Sequence, residues 1–116
     1  MLPIKQQQID ILSDGMKAAF VKRLKEHIKQ FFGHIVSVLT TVELDVLINE
    51  GIRRALQYKL ETEFQITVYF NLMLTQGVDF ENEKINKRTA DILNDMQRPT
   101  ETRINELIII VESKLH

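Results

Sequence analysis

The side chains able to do chemistry are few and scattered. Histidine occurs at His27, His34 and His116, and none lies three or four residues from another, the helical spacing that lets two imidazoles clamp a metal ion. Cysteine is absent, which removes disulfides and thiolate metal sites. Serine occurs only at Ser13, Ser37 and Ser113, with no glycine elbow around any of them. The four glycines are isolated, so no glycine-rich loop is present to cradle a phosphate. Asp79, Glu81 and Glu83 alternate as a calcium loop does, but the glycine and the closing glutamate are missing at the required offsets. Glu61 and Glu63 flank a helix start, where they complement the positive end of its dipole. These residues predict neither catalysis nor a cofactor nor a metal.

Two features suit binding instead. Between residues 17 and 29 stand Lys17, Lys22, Arg23, Lys25 and Lys29 against Glu26 alone, a local excess of +4. Lys22, Lys25 and Lys29 share one helical stripe opposite the apolar face, where they could steer an acidic protein or phosphate groups. No aromatics are interleaved with them, which argues against stacking on single-stranded bases. The second feature is Ile108-Ile109-Ile110-Val111, more apolar surface than a helix packed on one side requires. Ile109 points away from the stripe of Ile104, Leu107 and Val111. The expected partner contacts are therefore Ile109 and Ile110, with Lys22, Lys25 and Lys29 as steering charges.

The elements that must carry these residues read as helices. Ile9, Leu12, Met16, Phe20, Leu24, Ile28 and Phe31 recur at three- and four-residue steps and predict an amphipathic helix over about 3–32. Pro3 suits its first turn, Gly15 marks a bend or a late start, and Gly33 suits a left-handed closing position. Residues 34–39 form a short apolar connection, either a helical turn or an extended linker. Thr40 stands three residues before Glu43, and Thr62 three before Gln65, so each pair forms a capping box that starts a helix. The first of these helices buries Leu44, Leu47, Ile48, Gly51, Ile52 and Ala55. The second, about 63–76, buries Ile66, Tyr69, Phe70, Met73 and Leu74 and closes at Gly77. The short joint predicts antiparallel neighbours. After a polar loop, in which Phe80 turns back to the core, a helix over about 86–95 is anchored by Ile92 and Leu93. A last helix over about 100–116 carries Ile104, Leu107, Ile108, Val111 and Leu115.

The totals agree with this reading. A chain of 116 residues with 44% hydrophobic residues suits one domain spanning 1–116. A net charge of −1 implies neither a general nucleic-acid binder nor an acidic tail. No apolar run approaches the roughly 18 residues that span a bilayer. No signal-peptide pattern opens the chain, so a cytoplasmic protein is expected.

One stretch carries a family likeness. Leu44, Ile48 with Gly51-Ile52, Ala55, Tyr58 and Glu61-Thr62-Glu63 are followed by Phe70-Asn71-Leu72-Met73-Leu74, Gly77 and Asp79-Phe80. With the spacing to Ile92-Leu93 and the earlier Gln8, Leu12, Met16 and Phe20, this pattern resembles a family of small helical proteins. They are encoded in type VI secretion effector clusters, near the spike protein, adaptor chaperones and toxins. The likeness covers about residues 5–108 and rests on core and turn positions. Members often carry Pro-Trp in the loop before the fourth helix, where this chain has Lys87-Arg88. The resemblance implies an accessory protein that handles a toxin or its adaptor before secretion, and it carries over no catalytic residue.

The expected fold is all-α, a single small bundle of four to five helices. Leu24, Ile28, Leu47, Ile52, Phe70, Met73 and Leu107 are its expected core. The expected partner is a protein, an effector or its adaptor chaperone, with a homodimer as a further possibility and no membrane. The alternatives are an immunity protein that neutralises a toxin and, ranked last, a small nucleic-acid-binding regulator using Lys22, Lys25 and Lys29.

Overall fold

In the computed structural model the described residues are 14–77 and 87–115, with backbone alone at 14–16 and 114–115. They form six helices and no strand: α1 (Asp14–Phe31), α2 (Gly33–Val36), α3 (Thr41–Gln57), α4 (Glu63–Gln76), α5 (Lys87–Asn94) and α6 (Thr100–Leu115). Five have seven residues or more. The sixth, α2, is a single turn in the connection whose form the sequence leaves open. Pro3, Ile9, Leu12, Asp79, Phe80, Glu81 and Glu83 lie outside the described residues.

Both capping boxes close as their sequences demand. Thr40 Oγ1 accepts the Glu43 N–H at 3.1 Å, and Glu43 Oε1 accepts the Thr40 N–H at 2.8 Å. Thr62 Oγ1 accepts the Gln65 N–H at 2.9 Å, and Gln65 reaches back to the Thr62 N–H. Each satisfies two of the four donors a helix start leaves free. Gly77 ends α4 at φ 109, a backbone angle that side-chain-bearing residues rarely adopt.

The core is built around α4, which packs on α3 and α6, while α5 packs on α6. Ile66, Val68, Tyr69, Phe70, Leu72 and Met73 are all buried, so α4 is covered on more of its circumference than a single stripe. Phe70 lies against Gly51 of α3, and Leu74 lines a common groove with Leu47, so the two helices run antiparallel. The small residue at 51 admits an aromatic ring rather than a second backbone. From α1, Lys25 pairs with Asp45 of α3 at 2.7 Å, Arg23 pairs with Glu63 of α4, and His27 Nε2 lies 2.8 Å from Asn71 Oδ1.

Several expectations are corrected. Gly33 opens α2 and does not take a left-handed angle. The chain turns instead at Phe32, which is buried. Phe32 continues the four-residue step from Leu24 and Ile28, whereas Phe31 is 55% exposed and rests on the His27 ring at 4.9 Å. Leu47 is half-buried rather than core. Lys87 and Arg88 fall in the first turn of α5, where Lys87 pairs with Asp91, and not in a loop. The end of α3 carries a closure with no glycine in it. Lys59 stands at φ 66, its N–H reaches Leu56 O at 3.0 Å, and the Leu60 N–H reaches Ala55 O at 3.1 Å. That pair of bonds is a Schellman motif, with buried Leu60 as its apolar anchor.

Arg103 is only 1% exposed, although no sequence signal marks it. Its guanidinium donates to Leu93 O at 2.9 Å and to Tyr58 O at 3.0 Å. These carbonyls lie at the C-terminal ends of α5 and α3, where helix dipoles place partial negative charge. Two helix ends therefore offset one buried cation. Burial pushes its pKa below the usual arginine range, which is high enough to leave it charged.

Candidate functional site

Beside α2, the connection to α3 leaves an apolar groove of about 410 Å³. Buried Phe32 holds the end of α1 down, so the chain turns sharply through α2. Ser37 Oγ then donates to His34 O at 3.0 Å, and Thr40 starts α3. This path sets Ile35 and Leu39 along one wall. The α3 wall is Glu43, Val46, Leu47 and Glu50, a stripe at helical spacing, and Met73, Leu74 and Gly77 close the groove from the end of α4.

The groove continues into exposed apolar surface. Val46 is 62% exposed, and Val42, one turn earlier, is 71% exposed. Val38, next to Leu39 in the chain, is exposed as well. All three lie off the Leu44–Ile48–Ile52 stripe that α3 buries.

Among the described residues two ionisable groups line the groove, and both are held. Glu43 serves the α3 cap. Glu50 accepts hydrogen bonds from Arg53 and Arg54, which hold its carboxyl down at about 2, well below its ordinary value. Glu50 is therefore not poised to exchange a proton near neutral pH. Among the described residues no group of three or more histidines and acids is arranged to hold a metal. The arrangement suits binding of an apolar surface. No described helix is long and apolar enough to cross a membrane.

The residues expected to bind are not brought to this groove. Ile109 is 62% exposed on α6. Ile110 is buried with Leu107 and Val111 in the core cluster, so it is corrected from partner contact to core. One step along a helix turns the side chain by about 100°, enough to carry it from solvent into the core. Lys22 and Lys29 are exposed and pair with no acid among the described residues, whereas Lys25 is half-buried and tied to Asp45. Arg23 is tied to Glu63, so part of the local +4 excess is answered inside the molecule. Near the start of α6, exposed Phe64 adjoins a smaller, more polar hollow with Glu101 and Asn105.

Ile35, Leu39, Val42, Val46 and Leu47 do not read as one surface from the sequence. A signal was present: Val42 and Val46 are four apart and off the buried stripe, the same surplus that singled out Ile109. What was not visible is that the connection through α2 folds back beside them. Comparison with family models, with curated proteins and with solved structures finds no match to this chain.

Proposed function

We propose that this protein is a non-enzymatic accessory of type VI secretion, a co-chaperone that binds an effector or its adaptor. The observation that carries the binding role is the apolar groove, with exposed Val42 and Val46 along α3. Exposed apolar surface joined to a concavity is costly in water and is relieved by a partner. The secretion context rests on the resemblance of about residues 5–108 to small helical proteins of effector clusters. An immunity role ranks second, because inhibitors of toxins often rely on strong charge complementarity and the groove is mostly apolar.

The test is affinity capture of the tagged protein from its own cell, identified by mass spectrometry, beside a Val46→Asp variant and a deletion strain. An effector or adaptor should be retained by the parent and lost from the variant, and effector export should fall on deletion. Absence of any secretion component together with intact export would end this reading. Rescue from a toxin by this chain alone would favour the immunity role.

A further inference from the structure

We draw no further inference here: the strongest candidate, the apolar groove that α2 forms with α3 and the end of α4, carries none, because nothing in the structure shows what covers it.

Discussion

Replacing Gly51 by alanine should destabilise the protein, against the usual rule for a glycine inside a helix. In an ordinary α-helix that change stabilises by about 1 kcal/mol. Here the new Cβ would stand 2.3 Å from Phe70 Cζ and 2.7 and 2.9 Å from the two Cε atoms. Carbon atoms rest at about 3.5–4.0 Å, so the ring edge would have to retreat by more than about 1 Å. Phe70 is 0% exposed, with the Tyr69 ring set edge-on at a centroid distance of 6.5 Å, and has nowhere to go. Overpacking of this kind costs about 1–3 kcal/mol. With a rigid aromatic as the obstacle the upper half of that range applies, and the net loss should be about 1–2 kcal/mol. That is a sizeable part of the roughly 5–10 kcal/mol expected of such a domain. Urea unfolding should show a lower midpoint at an unchanged slope. The double variant Gly51→Ala/Phe70→Leu should lose less than the two single variants added together. A raised midpoint for Gly51→Ala would refute the argument, because the ring would then have room that the packing denies it.

Lys59→Gly should stabilise by about 0.5–1 kcal/mol, since glycine takes the left-handed angle without the clash of a Cβ, and a thermal melt will read it. Arg103→Met removes the donors to Tyr58 O and Leu93 O and should cost about 3 kcal/mol or more, with Arg103→Lys intermediate in urea midpoint. Ile109→Asp should leave the urea midpoint almost unchanged, whereas Ile110→Asp places a charge at an 8% exposed core position and should prevent stable folding, read by circular dichroism. Glu50 is depressed from 4.5 to about 2 in the folded state, so the stability it contributes is present above about 4.5 and is lost as pH falls from there toward 2. Melting temperature against pH should therefore fall less steeply across that window in Glu50→Gln. Some slope should remain, because Arg98 holds Glu106 below its ordinary value in the same direction.

The sequence by itself determined what depends on groups a few residues apart. The capping boxes at Thr40 and Thr62 are hydrogen bonds spanning three residues, and both close. Gly77 ends α4 because the angle there excludes most side chains. The three- and four-residue recurrence of Leu24, Ile28, Leu44, Ile48, Phe70 and Met73 needs only helix geometry to put them on buried faces. The all-α class and the pairing of α3 with α4 were legible for that reason, whereas the centre of the core is α4 held between α3 and α6.

Only the tertiary structure decided which of several equally apolar residues is covered. Phe31 and Phe32, or Ile109 and Ile110, are equally apolar neighbours, and although helical spacing favours one of each pair, burial is completed only by the helices that arrive from elsewhere in the chain. Lys59 takes a strained angle because buried Leu60 anchors the turn. Arg103 is drawn inside because two helices distant in sequence end with their carbonyls around it. The groove arises in the same way. Val46 becomes part of a groove wall only when α2 and the end of α4 converge on it, and convergence is a property of packed helices rather than of any segment.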